Sequence, residues 1–179
     1  MQVYILKESN SDSRVAASPD TVKKMKDWGL NVVIQDNAGL NSNFSNEEYV
    51  KSGATISNAI TDISKSDLIL KINKPNDDEI ALMNEGSVLI ASLDPYNNSE
   101  TLNKLKDKGV TSFAMELMPR ITRAQSMDIL SSQSNLAGYK AVIDATYLFN
   151  KAMPMMMTAA GTIAPAKVMV FGAGVAGLQ

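Results

Sequence analysis

Arg120, Arg123, Gln125, Asp128 and Ser131 fall within a dozen positions, and Ser126, Ser132, Gln133, Ser134 and Asn135 crowd the same stretch. A surface helix is usually filled with Lys and Glu. The segment from Met115 to Tyr139 instead holds short hydrogen-bonding groups and an arginine directly after Pro119. That composition predicts a contact surface for a polar ligand. The blander alternatives are a helix N-cap for Asp128, a surface salt bridge for Arg120, and solvation of a helix start for Gln125 and Ser131.

The second chemistry-bearing stretch is Gly172-Ala173-Gly174-Val175-Ala176-Gly177, a G-x-G-x-x-G directly after the apolar run Lys167 to Phe171. The first glycine suits a tight turn, the second lets backbone approach a pyrophosphate, and the third lets a helix press on a strand. N–H groups at the start of the next helix would face the phosphates. A dinucleotide is the expected ligand, with Gly172, Gly174, Val175, Ala176 and Gly177 at its diphosphate. A bare glycine motif is weak, and its place after a strand pattern is what strengthens it. The acidic residue that takes the ribose hydroxyls stands about 20 positions further on, past Gln179, so the choice of NAD over NADP is not encoded here. The expectation is the front part of a larger protein, weak in dinucleotide binding and inactive alone.

Composition narrows the chemistry. The chain has no histidine, so a reaction that moves a proton in its chemical step must use Lys, Asp, Glu, Tyr or water. It has no cysteine, which excludes disulfides and thiolate metal sites, and no metal centre is expected. A net charge of −2, with 17 basic residues interleaved among 19 acidic ones, argues against nucleic acid. Apolar residues at 45% and charged residues at 20% describe a chain able to bury a core. The N-terminus lacks the basic and apolar regions of a signal peptide. Pro154, Gly161 and Pro165 divide the weakly charged end into pieces too short to span a bilayer.

The elements that must position these groups follow from local signals. Val3 to Leu6 reads as a strand, Lys7 to Arg14 as a polar loop, and Ser18-Pro19-Asp20 as a helix start with side-chain cap, proline and early acid. Asn31 to Gln35 is a strand pattern, Ser45 to Glu48 a capping box, and Ile56 to Ser64 a short helix. The nearly all-apolar Asp67 to Ile72 suits a strand covered on both faces. Helices are expected over Asp77 to Asn84 and Ser99 to Lys108, and strands over Ser87 to Ser92, Thr111 to Met115 and Lys167 to Phe171. A long helix is expected from Ser126 or Asp128 to Lys151, where Ala137, Ala141 and Ala145 beside Gly138 make one face narrow enough for another backbone to approach, in tight core packing, with Met155 to Met157 as core filling. The alternation gives an α/β protein: a doubly wound, Rossmann-like N-terminal domain over residues 1–127, a connecting helix over 128–151, and the truncated start of a second, NAD-binding Rossmann domain over 152–179.

Four segments carry a family resemblance: SRVAASPDTVKKM, LILKINKP, AMELMPRITRAQSMDILSSQSNLAGYKAVIDA, and PMMMTAAGT leading into VFGAGVAGLQ. Together they resemble the N-terminal part of the NAD(H)-binding alpha subunit of proton-translocating nicotinamide nucleotide transhydrogenase, a family related to alanine dehydrogenase. The resemblance implies that Arg120, Gln125, Asp128 and Ser131 surround the nicotinamide end of NAD(H). Arg120 and Ser131 would bond the carboxamide or its surroundings, and Gln125 and Asp128 would hold the ribose and position the ring for hydride transfer. It further implies NADP(H) on a partner subunit, membrane-embedded partners, a homodimer, and a place on the cytoplasmic side of the inner membrane held through those partners. Hydride transfer between two nicotinamides moves no proton, which accommodates the missing histidines. Arg14 and Lys71 match substrate-carboxylate and catalytic positions of alanine dehydrogenases, but Leu93-Asp94-Pro95 stands where those enzymes carry a histidine, so both are expected to be structural residues or remnants. The competing readings are an oxidoreductase resembling alanine dehydrogenase and a fragment without independent activity.

Overall fold

The computed structural model describes residues 1–9 and 11–179. The polar loop expected over Lys7 to Arg14 includes Asn10, which lies outside the described residues. The chain divides into two compact units, Met1–Met118 and Pro119–Gln179.

The first unit is built on six parallel strands: β1 (Gln2–Ile5), β2 (Asn31–Gln35), β3 (Thr55–Ser57), β4 (Leu68–Leu70), β5 (Val88–Ala91) and β6 (Thr111–Ala114). Their order across the sheet is β3-β2-β1-β4-β5-β6, the doubly wound order in which the chain returns past its first strand. Val3 pairs with Val32 on one side and Leu68 on the other, so β1 is central. Side chains alternate along a strand, and here both faces are filled. Val3 and Ile5 join Val22, Val32, Ile34 and Tyr49, whereas Tyr4 and Leu6 join Ile69, Ile80, Leu89 and Leu105. Tyr49, fully buried, donates to the Ala17 carbonyl at 2.8 Å, and burial pushes its phenol up to about 12.

The covering helices start where side chains can cap them. Ser18 Oγ accepts from the Thr21 N–H at the head of α1 (Pro19–Asp27), and Ser45 and Glu48 form the capping box of α2 (Asn46–Lys51). A second capping box, Asn76 with Glu79, opens α3 (Asp77–Leu82), and α4 (Ser99–Asp107) follows β5. Trp28 closes α1 but stands 74% exposed. The helix expected over Ile56 to Ser64 is instead β3 followed by a 3-10 turn over Ile60–Lys65. Ser57 explains the change: its hydroxyl bonds both the Ala59 carbonyl and Asp62, which stops the strand and starts the turn.

The second unit opens with a 3-10 segment over Thr122–Met127 and a 20-residue helix, α5 (Ile129–Leu148). An antiparallel hairpin, β7 (Met156–Thr158) and β8 (Gly161–Ile163), and one short turn of helix, α6 (Val175–Leu178), complete it. Three expectations change here. Ala137, Ala141 and Ala145 are exposed instead of packed in a core, and the close backbone approach expected of the face they share with Gly138 occurs at Gly138. Met155, Met156 and Met157 are exposed on the hairpin instead of filling a core. Lys167 to Phe171 is not a strand, because extended apolar chain becomes one only when a neighbour takes its backbone groups, and none of the described residues does so. No helix of the described residues is long and apolar enough to cross a membrane.

Candidate functional site

The sequence-derived site residues gather mostly in one cleft of the second unit. Asp128 stands beside it and fixes the orientation of one of its lining residues, Ser131. It stands in extended conformation just before α5, and its Oδ1 accepts the Ser131 backbone N–H at 3.0 Å. Its Oδ2 accepts the Ser131 hydroxyl at 2.6 Å. These bonds, with the Arg120 charge, hold the carboxyl below the usual carboxylate range, the Ser131 hydroxyl contributing most. Asp128 is thus both a cap and an acceptor fixing the rotamer of Ser131.

The opposite wall is the glycine segment. Gly172 has φ 102, a left-handed conformation that glycine adopts at little cost. A side chain at Gly177 would overlap the Gly172 carbonyl, so the third glycine folds the loop back on its first. Gly138, midway along α5, is buried, and a Cβ there would overlap the Ala176 carbonyl. Backbone therefore touches backbone where α5 meets α6. Asn135 adds a bond from Nδ2 to Gln179 Oε1 at 2.5 Å.

Between these walls lies a cleft of about 330 Å3. Arg120, Ser131, Gly172, Gly174, Val175, Ala176 and Gly177 all line it. Gln125 and Asp128 do not: Gln125 is exposed on the 3-10 segment, and Asp128 reaches the cleft only through Ser131. Leu130, Ser134 and Phe171 also line it and were not assigned from the sequence. The available signal for Ser134 was its spacing, three positions after Ser131 and so on the same helical face. One guanidinium, hydroxyls and glycine backbone beside the apolar side chains of Leu130, Phe171, Val175 and Ala176 make a site suited to a ligand that is part anionic and part planar apolar. Among the described residues no group of His, Cys, Asp or Glu is arranged to hold a metal ion.

Lys71 and Arg14, in the first unit, are engaged by acids. Lys71 Nζ lies 2.7 and 2.5 Å from the two carboxylate oxygens of Glu79, and the pair is buried. Glu79 meanwhile caps α3 through the Asn76 N–H at 2.8 Å. Arg14 is paired with Asp12 at 2.6 Å, an interaction that drives the Asp12 carboxyl strongly down. Glu8, also buried, takes the Ile72 and Asn73 N–H groups and thereby fixes the turn after β4. After β5, Asp94 sits at φ 45, its N–H and that of Leu93 both donated to Glu116 Oε1.

The family model described as alanine dehydrogenase/PNT, N-terminal domain, matches residues 4–137, and that for the C-terminal domain of the same family matches residues 141–179. An NAD(P) transhydrogenase subunit alpha protein of Rhodospirillum rubrum is 49% identical across the whole of this chain, which covers 48% of it. A crystal structure of transhydrogenase from Sinorhizobium meliloti superposes with TM-score 0.95 and 52% identity over 99% of this chain and 54% of that one. An L-alanine dehydrogenase structure superposes with TM-score 0.84 at 25% identity, over 99% of this chain and 50% of that one. The chain spans about half the length of the Rhodospirillum rubrum relative and of its counterpart in Rickettsia prowazekii.

Proposed function

The chain belongs to the alanine dehydrogenase/PNT family, and on that premise we propose that it is the NAD(H)-binding component of a proton-translocating transhydrogenase. In this reading it exchanges hydride with NADP(H) on a partner subunit. The carrying observation is the cleft in which Arg120 and Ser131 stand opposite the glycine segment. Bound NAD(H) supplies the hydride donor or acceptor. The chain's own residues bind and orient it: the glycine segment approaches the diphosphate, Arg120 supplies positive charge, and Asp128 fixes Ser131 beside the nicotinamide end. Gln125, exposed on the 3-10 segment before α5, holds the nicotinamide ribose with Asp128 in this reading. None of these steps moves a proton, so the absence of histidine costs the reaction nothing. The membrane-embedded partners, the homodimer and the cytoplasmic face of the membrane belong to the same proposal.

The alternative is an oxidoreductase acting on an amino or oxo acid, as the likeness to L-alanine dehydrogenase allows. The Lys71–Glu79 pair speaks against it. A lysine held by both oxygens of a buried carboxylate is not poised to take a substrate carboxylate or move a proton for it. The decisive experiment mixes the full-length subunit with its NADP(H)-binding partner and follows reduction of an NAD analogue by NADPH. Transfer is expected. No transfer, together with amino-acid-dependent NAD reduction, would overturn the proposal.

A further inference from the structure

The hydroxyls in the cleft of the second unit are not equivalent. The Ser131 proton is committed to Asp128 Oδ2 at 2.6 Å, so toward a ligand Ser131 presents lone pairs only. Ser134 lines the same cleft, and among the described residues its hydroxyl has no hydrogen-bond partner. It lies three positions after Ser131 and four before Gly138, hence on one face of α5. Gly138 is the point where α5 rests on Ala176, so this face is turned toward the glycine segment. Arg120 also lines the cleft and forms no ion pair or hydrogen bond among the described residues, feeling only the charge of Asp128. The uncommitted side-chain groups are therefore a guanidinium, which can only donate, and a hydroxyl free to donate. Among the described residues no uncommitted carboxylate shares the cleft with them. A hydroxyl free to donate, on the face turned toward the glycine segment, matches an anionic oxygen held at that segment, with a charge-assisted bond from Ser134.

We infer that Ser134 is a further ligand-binding residue, which donates its hydroxyl hydrogen to a diphosphate oxygen at the glycine segment, whereas Ser131 serves as an acceptor fixed by Asp128. The inference rests on the dinucleotide reading of the cleft. It adds a side-chain contact from α5 to the end of the ligand otherwise held by glycine backbone.

The test titrates NADH and ADP-ribose into the full-length protein and its Ser134→Ala variant. ADP-ribose keeps the diphosphate and lacks the nicotinamide. Alanine is the best helix former, so the variant is expected to keep the wild-type thermal midpoint or exceed it. Loss of a hydrogen bond to a charged oxygen corresponds to about tenfold weaker binding, and that loss is expected equally for both ligands. Ser134→Thr, which keeps the hydroxyl, is expected to restore most of it. Unchanged binding of both ligands to Ser134→Ala would overturn the inference, as would a loss confined to NADH, which would assign Ser134 to the nicotinamide. Wild-type protein that binds neither ligand would instead overturn the dinucleotide reading itself.

Discussion

At the scale of single residues, Asp128 joins a helix cap to a hydroxyl that lines the cleft. Asparagine caps helices about as well as aspartate, so Asp128→Asn is expected to move the thermal midpoint little. It cannot, however, offer the anionic acceptor that fixes Ser131 and faces the Arg120 charge. Hydride transfer in the assembled complex is therefore expected to fall at least about tenfold, a loss on the scale of one catalytically oriented contact. A cap alone would leave transfer nearly intact. The pH dependence has a definite sign. The folded Asp128 carboxyl lies below its ordinary value near 3.9, so its bonds stabilise the native state above that value and are lost as pH falls through the lower, folded one. Circular dichroism of α5 is expected to be flat from neutral pH to about 4 and to decline only in stronger acid. The cap was legible in the sequence because an aspartate stood three positions before a serine at a helix start. That Ser131 spends its proton on it was not, since a hydroxyl's direction is set by its neighbours in space.

At the scale of elements, the meeting of α5 with the glycine segment decides whether a cleft exists. Glycine normally weakens a helix by about 1 kcal/mol relative to alanine, so Gly138→Ala would stabilise an isolated α5. Here the added methyl overlaps the Ala176 carbonyl, and forcing extra bulk into a packed contact costs about 1–3 kcal/mol. The expected result is a lower thermal midpoint and weaker NADH binding. The control is Ala141→Gly on the exposed face, which should cost about 1 kcal/mol and leave binding alone. Sequence periodicity located α5 and a narrow face of small residues that included Gly138, but packed the alanines in a core where they are exposed. Small residues permit a close approach, and only the position of the neighbouring backbone selects which of them makes it. The same limit applies to Lys167 to Phe171, where the apolar pattern was clear and pairing depends on a neighbour the pattern does not contain. By contrast, the caps at Ser18 and Ser45 were readable because a cap is a bond between residues three apart.

At the scale of the whole molecule, the doubly wound sheet was legible from alternating apolar runs and turn residues. Its order was not, because strand neighbours such as Val3 and Leu68 are joined by no local signal. The buried Lys71–Glu79 pair belongs to this scaffold. Removing one partner of such a pair leaves a buried charge unpaired and costs about 3–5 kcal/mol. Lys71→Met is expected to lower the urea midpoint accordingly while leaving NADH affinity within about twofold, a change under half a kcal/mol. A large loss of affinity without loss of stability would return Lys71 to the reacting groups. The central place of β1 also has a consequence for synthesis. β1 leaves the ribosome before the other five strands of its sheet and can pair with β2 as soon as that emerges, yet its other edge stays open until Leu68–Leu70 has been made. That edge belongs to the apolar run Val3-Tyr4-Ile5, the kind of unpaired strand that recruits other chains. Nascent chains halted between β3 and β4 should therefore be the aggregation-prone and chaperone-dependent ones, and chains halted after β4 should be released from that dependence.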